Sequence, residues 1–381
     1  MRKNRILLYA LSFLQGLVFY SSVATLYRQA AGLTLLEISL IESVSYLLCL
    51  ALEAPWGVVA ERVGYKRTML IGCAVLALSK VVFYRAESFS GFLLERVLLS
   101  VAISGLSGVD ESVLYLSCEE GRSQRCFGLY AALGNAGLLT ATVVFALTGA
   151  SDFRRAAAWT AIAYGAAVLV CLPLREVKKP DATARRRGLL RRVLRETLRN
   201  RALLLLLATS TLFSCTAQTV TVFLNQPQYV RCGLNAAAIS LLYLPTTLLT
   251  LCGALSDRLT RRLGARRMGL SALLLAAALC LTLALTRSAA LSVAAILCLQ
   301  CVSSLFGPLQ TELENRMIAP DFRAAALSVN AMLSDGVAAG INAAFGALSD
   351  ASLPAALAFG CALCLAGAAL LNAALREGGK G

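Results

Sequence analysis

The 381-residue chain contains no histidine, and only 15% of its residues are charged. Without imidazole there is no His-based triad, no HExxH zinc site and no histidine proton relay. Any group that exchanges protons near neutral pH must then be Asp or Glu, shifted by its surroundings. No Walker sequence, no G-x-S-x-G and no metal-ligand spacing occurs. ATP-driven pumping and covalent catalysis are therefore not expected, and no catalytic residue, metal or cofactor is assigned. The 13 cysteines sit mostly inside apolar runs, where a thiol acts as a small hydrophobe. Cys298/Cys301 and Cys361/Cys364 are CxxC pairs, but each lies within one apolar run and lacks a second pair, so they read as packing residues. Only Cys232 falls in a loop expected outside, so no disulfide framework is indicated.

What the chain has in excess is apolar surface: 58% of its residues are hydrophobic, and the mean hydropathy is +0.71. A soluble domain of this length cannot hide that surface from water. A bilayer's hydrocarbon core takes a helix of about 20 apolar residues. Apolar runs between charged breaks predict spans at 6–27, 38–60, 68–85, 90–117, 127–149 and 156–174, then at 202–225, 236–257, 269–286, 289–314, 324–349 and 355–375. Residues Met1 to Ala24 have the order of a signal peptide, yet Ile6 to Tyr27 is long enough to span, and it reads as an uncleaved first helix. The expected fold is all-α and polytopic: about 12 transmembrane helices in two six-helix bundles, 1–175 and 202–381, joined by a basic loop, 176–201.

The net charge of +15 is explained by topology. With a cytoplasmic N-terminus, 28 of the 36 Lys and Arg residues fall in inside segments and 6 outside, while Lys80 and Arg96 lie within spans. That bias satisfies the positive-inside rule with both termini cytoplasmic, and no nucleic-acid partner is needed to account for the basic residues. The tail of the central loop, Arg185 to Arg201, sets Leu190, Val193, Leu194 and Leu198 against Arg191, Arg192, Arg195 and Arg199. This pattern suits either a helix lying on an anionic bilayer surface or an unstructured basic tether.

The halves echo each other. The second span ends with Gly57, Glu61, Arg62, Gly64, Lys66 and Arg67, and the eighth ends with Gly253, Asp257 and Arg258 before Gly264 and Arg266-Arg267. Similar chemistry at the same place in each half indicates an internal duplication. With this loop pattern, G-x-x-x-[DE]-R-x-G-x-[KR]-[KR], the six-plus-six spans and the basic central loop, the chain resembles the major facilitator superfamily over essentially its whole length. The resemblance implies a secondary transporter whose loop motif gates the conformational switch.

A narrower resemblance, to the bacterial drug-exporter-like branch, rests on the fourth span. There Ser104-Gly105-Leu106-Ser107-Gly108-Val109-Asp110-Glu111-Ser112-Val113-Leu114-Tyr115 is similar to that branch's SGADEALLY stretch. Ser100 stands where the branch usually has glycine, and the fifth-span antiporter motif is reduced to Gly134 and Gly137. The resemblance implies proton-coupled export of small amphipathic organic molecules by a monomer in a bacterial inner membrane, with Na+ as the alternative ion. A narrow metabolite carrier and a non-transporting sensor on the same fold are the competing readings.

Charges inside a membrane are costly and default to functional candidates. Arg96, Ser100, Ser104, Ser107, Glu111 and Tyr115 recur at three- and four-residue spacing, which predicts one polar stripe on the fourth span. Asp110, Glu111 and Asp335 are the proton-coupling candidates. Arg96, Ser107, Tyr115, Gln218, Asn225 and Asn342 are the substrate-path candidates, because neutral and charged hydrogen-bonding groups at helical spacing can line a path. Glu42 is expected near the outer interface and solvated, and Lys80 is expected to snorkel or to pair with an acid.

Overall fold

The computed structural model describes residues 2–107, 109–118, 123–148, 152–177, 194–317 and 323–377. Among these there are helices and turns but no strand. The first span bends: α1 (Arg2–Gly16) leads through a short turn, Ser21–Val23, into α2 (Ala24–Ala30). Then come α3 (Leu35–Val63), α4 (Tyr65–Arg85), α5 (Phe89–Leu106), α6 (Val109–Ser117), α7 (Ser123–Leu147) and α8 (Phe153–Cys171). The second half runs α9 (Arg201–Gln218), a π-helical segment Thr219–Leu224, α10 (Asn225–Arg231), α11 (Ala236–Leu248), a 3-10 segment Leu249–Leu255 and α12 (Ser256–Leu263). It closes with α13 (Ala265–Leu285), α14 (Ala289–Arg316), α15 (Arg323–Ala351) and α16 (Leu353–Glu377).

Several spans begin where the sequence supplies a cap. Side chains of Ser88, Asp152, Asn200 and Ser288 accept hydrogen bonds from the backbone N–H of Gly91, Arg155, Leu203 and Leu291, which starts α5, α8, α9 and α14. Among the described residues, eleven helical stretches are long and apolar enough to cross a membrane. The expected span 156–174 forms α8 but is not among them, because Arg154 and Arg155 in its first turn dilute its hydropathy. Large apolar side chains point outward on these helices, with Leu147, Leu285, Ile162 and Leu251 all at least two-thirds exposed. A water-soluble protein would have to cover such faces; here they are the surface offered to lipid.

The helices form two compact units, residues Met1–Asp181 with Ala236–Leu244, and Ala182–Asn235 with Pro245–Gly381. In the first unit α1 packs along α7, and α4 along α5 and α8. The α1–α7 contact depends on glycine: a Cβ on Gly137 would strike the carbonyl of Phe13 and the backbone of Gly16. Bare backbones can approach that closely, and side chains cannot. At one end of the unit the rings of Tyr20 and Phe83 stack at 4.0 Å, with Phe92 edge-on to Phe83 and Tyr27 tilted against both. In the second unit α13 packs along α16, and α16 along α9.

The duplication inferred from the loop motifs appears in the backbone. Gly64 and Gly264 each precede the next helix with φ of 96° and 83° and ψ of 155° and 145°. A side chain strains that conformation, so the two motif glycines are required for geometry. Of the central loop, residues 194–199 are helical with Leu194 and Leu198 exposed, while the basic stretch before them lies outside the described residues.

Candidate functional site

The densest chemistry lies inside the first unit, at the end opposite the Gly64 loop. Arg28 on α2, Glu42 on α3, Lys80 on α4, and Glu95 and Arg96 on α5 converge there. Arg28, Glu42, Lys80 and Glu95 are each no more than 5% exposed. Glu42 takes Arg28 on one oxygen (Nη1–Oε1 3.1 Å) and Arg96 on the other. Glu95 takes Lys80 at 3.3 Å and faces Arg28 Nη2 at 3.8 Å. Lys80 also lies over the rings of Tyr20 and Tyr164, at 5.9 and 5.5 Å from their centres. One turn along, the Ser45 and Ser100 hydroxyls share a hydrogen bond of 2.7 Å. Ser100 Oγ donates to the carbonyl of Arg96 at 2.9 Å, so Ser45 is the donor to Ser100. Ser100 therefore ties α5 to α3.

Each charge alone would cost roughly 2.5 kcal/mol or more in a membrane interior. Together they offset one another, but among the described residues three cations face two carboxylates, which leaves one positive charge over.

The expectation of a solvated Glu42 is overturned, since it is buried between two arginines. Arg28, expected in an outside loop, is 5% exposed inside the bundle. Sequence reasoning missed Glu95 altogether. An acidic residue next to Arg96 inside an apolar run was the available signal.

The fourth-span stripe does not run unbroken. Helix α5 ends at Leu106, Ser107 is an exposed turn residue, and α6 begins at Val109. Asp110 is half-buried on α6 and accepts a hydrogen bond from Tyr130 Oη of α7 at 3.2 Å. Arg96 and Asp110 therefore belong to different surroundings. Tyr115 is 60% exposed, and the side chain of Glu111 lies outside the described residues.

In the second unit Asn342 on α15 is buried and accepts from Thr219 Oγ1 at 3.0 Å. Asp335, on the same helix, is half-buried. Gln218 and Asn225 flank the π-helical segment, and Thr211, before it, is already buried. Ser214 and Gln218 before it are exposed, whereas Thr221 and Asn225 within and after it are buried. The Asn225 Oδ1 atom turns back to the backbone N–H of Gln226 at 2.7 Å.

Of the gating residues, Gly57, Glu61 and Arg62 lie in the last turns of α3, with side chains outside the described residues. Beyond Gly64, the carboxylate of Glu176 accepts the backbone N–H of Tyr65 at 2.9 Å and of Lys66 at 3.3 Å, which caps α4, while Arg67 is exposed. This acid at a helix N-terminus was also missed. In the second loop Gly253 lies against the carbonyl of Ser304. Asp257 pairs with Arg261 at 2.6 Å, and Arg258 is exposed.

A duplicated bundle of this pattern agrees with the family comparison: the Major Facilitator Superfamily model matches residues 6–343. The chain belongs to the Major Facilitator Superfamily. As a member of that superfamily it is a multi-pass membrane transporter. No curated protein matches it. Its fold is similar to that of the nucleoside transporter NupG, at 15% identity and TM-score 0.84, covering 99% of this chain and 100% of that one. It is also similar to a POT family transporter in complex with 5-aminolevulinic acid, at 14% identity and TM-score 0.74, over 98% and 95% of the two chains. A bacterial homologue of the human lysosomal transporter Spinster, inward-facing and occupied, matches at 16% identity and TM-score 0.69, over 97% and 94%. At these identities the likeness concerns the fold.

Proposed function

We propose that this superfamily member is a proton-coupled secondary transporter that exports a small amphipathic organic molecule by alternating access. The observation that carries the reading is Asp110, a half-buried carboxylate at the break between α5 and α6, bonded to Tyr130. A carboxyl group partly withdrawn from water at a helix break can take up a proton and alter the contact it makes with the neighbouring helix. Glu111 on the same short helix and Asp335 in the second unit are the further coupling candidates. In this reading the bundles 1–175 and 202–381 are the moving halves, and the Gly57–Arg67 and Gly253–Arg258 loops gate them. The chain works as a monomer in a bacterial inner membrane, with both termini cytoplasmic. Export is supported by the exporter-like Ser104–Tyr115 stretch.

A second reading, a narrow carrier for one polar metabolite, is favoured by the buried Asn342–Thr219 pair. The test is substrate-driven proton movement in proteoliposomes that hold a pH-sensitive dye, with cationic, neutral and anionic compounds and a sodium arm. Proton movement that is lost in Asp110→Asn, with the protein still folded, supports antiport through that acid. Movement that survives in Asp110→Asn, Glu111→Gln and Asp335→Asn alike would remove all three candidates. A response to one compound only would select the metabolite carrier.

A further inference from the structure

We propose that the Arg28–Glu42–Lys80–Glu95–Arg96 cluster is the subsite for a single carboxylate of the transported molecule, with Arg96 as its main ligand. The inference rests on the transport reading above and narrows its substrate to organic monocarboxylates. Three observations carry it.

The first is the charge count. Among the described residues, two cations and two carboxylates are buried and a third cation, Arg96, joins them at the edge, so one positive charge has no partner inside the cluster. A network built only to brace helices gains nothing from an odd cation, because each uncompensated charge keeps its desolvation cost. The second is the donor count. The Nε atoms of Arg28 and Arg96 are both buried without a hydrogen-bond acceptor among the described residues, against one buried oxygen, Glu95 Oε2, without a donor. The third is position. Arg96 is the member at the edge of the cluster, its side chain 22% exposed against 6% or less for the other four. Glu42 is bonded to Nη2 of Arg96, and the planar guanidinium can pair a second carboxylate once its buried Nε–H, which has no acceptor among the described residues, is turned to the ligand.

The size of the surplus selects the ligand. A monoanion brings the cluster to neutrality. A dianion such as phosphate would overshoot to net negative, and a cation would double the excess.

The test uses the full chain in lipid nanodiscs and follows thermal unfolding with matched pairs: acetate and acetamide, butyrate and butyramide, benzoate and benzamide. Inorganic phosphate and benzylamine serve as charge controls. The expected result is that one or more carboxylates raise the unfolding temperature as their concentration rises, while their amides do not. Arg96→Gln should abolish that response and Arg96→Lys should keep a weakened form of it. Without ligand, Arg96→Gln should unfold no lower than wild type, since two cations then face two carboxylates. Glu42→Gln, which raises the surplus to two, should move the preference from monocarboxylates towards phosphate.

The proposal is overturned if amides act as strongly as carboxylates, or if no carboxylate responds at millimolar concentration. It is equally overturned if the response survives in Arg96→Gln, or if phosphate or benzylamine is the better ligand of the wild type. Carboxylate binding without any proton or solute movement would sink the transport reading and leave the subsite standing. Transport of neutral or cationic compounds without carboxylate binding would do the reverse.

Discussion

Glu95→Gln is the most informative single change to the stability of this chain. The side chain is 1% exposed and holds Lys80 at 3.3 Å and Arg28 at 3.8 Å. At an effective dielectric constant of about 20 these contacts are worth roughly 5 and 4 kcal/mol of Coulomb attraction before desolvation is counted. Neutralising the carboxylate relieves its own desolvation but leaves Lys80 buried without an acid, and the cluster's surplus rises from one positive charge to two. The net loss should be about 3–5 kcal/mol, the range for breaking a buried pair from one side. Removing both partners, Lys80→Met with Glu95→Leu, should cost much less than the sum of the single changes, because the surplus then stays at one positive charge. A residual loss of about 1 kcal/mol is expected from the Tyr20 and Tyr164 rings that Lys80 covers. The assay is a double-mutant cycle in mixed-micelle denaturation, read by tyrosine and tryptophan fluorescence. A loss below about 1 kcal/mol for Glu95→Gln, or a double mutant as unstable as the singles combined, would refute the paired-cluster reasoning.

Gly137→Ala should lose about 1–3 kcal/mol, since its Cβ would strike the Phe13 carbonyl and push α7 off α1; the same denaturation titration measures it. Gly64→Ala should cost about 1–3 kcal/mol for backbone strain, and more than Gly264→Ala, because a Cβ at Gly64 also meets Glu176 at 2.9 Å while Gly264 has open space around it. Asn4→Ala should cost about 1–3 kcal/mol, as it removes a reciprocal pair of hydrogen bonds, 2.8 and 2.9 Å, to the backbone of Arg175; increased hydrogen exchange at the Arg175 amide would report the loss. Thr219→Val should cost about 1 kcal/mol by stripping Asn342 of its donor, and Asn342→Ala should add little on top of it.

What was legible in the sequence was local. Apolar runs of bilayer length need only composition, and the caps at Ser88, Asp152, Asn200 and Ser288 lie just ahead of the runs they start. The loop motif placed glycines at matched positions in the two halves, while their shared positive-φ backbone came only with the structure. The charge cluster was not legible, since its pairs join different helices: Arg28 with Glu42, Lys80 with Glu95. Arg28 and Glu42 each lie within about two turns of a span end, where solvation is the ordinary expectation. Their burial comes with the pairing of α2 and α3 through these two side chains, which hydropathy does not record. The breaks at Ser107 and at Thr219–Leu224 were hidden for a related reason. A three- and four-residue polar spacing reads as one face only while the helix stays regular.

The two units reuse one backbone device but not one chemistry. Gly64 and Gly264 share a conformation to within about 15°, so the turn after each motif helix is a mechanical requirement that both halves meet. Among the described residues no buried ion pair of this kind lies in the second unit. The buried charges converge in the first unit, whereas the buried polar groups described in the second include the neutral Asn342, Thr219, Asn225 and Gln228. If the cluster merely held helices together, a duplicated fold would face the same need twice and could meet it with neutral hydrogen bonds, as Gln228 does by donating to Ser292 at 3.0 Å. Four buried charges with a fifth at their edge are a costly way to do the same work. The asymmetry therefore argues that the first unit's charges answer to something other than packing, and a charged cargo is the simplest demand that only one half would need to meet.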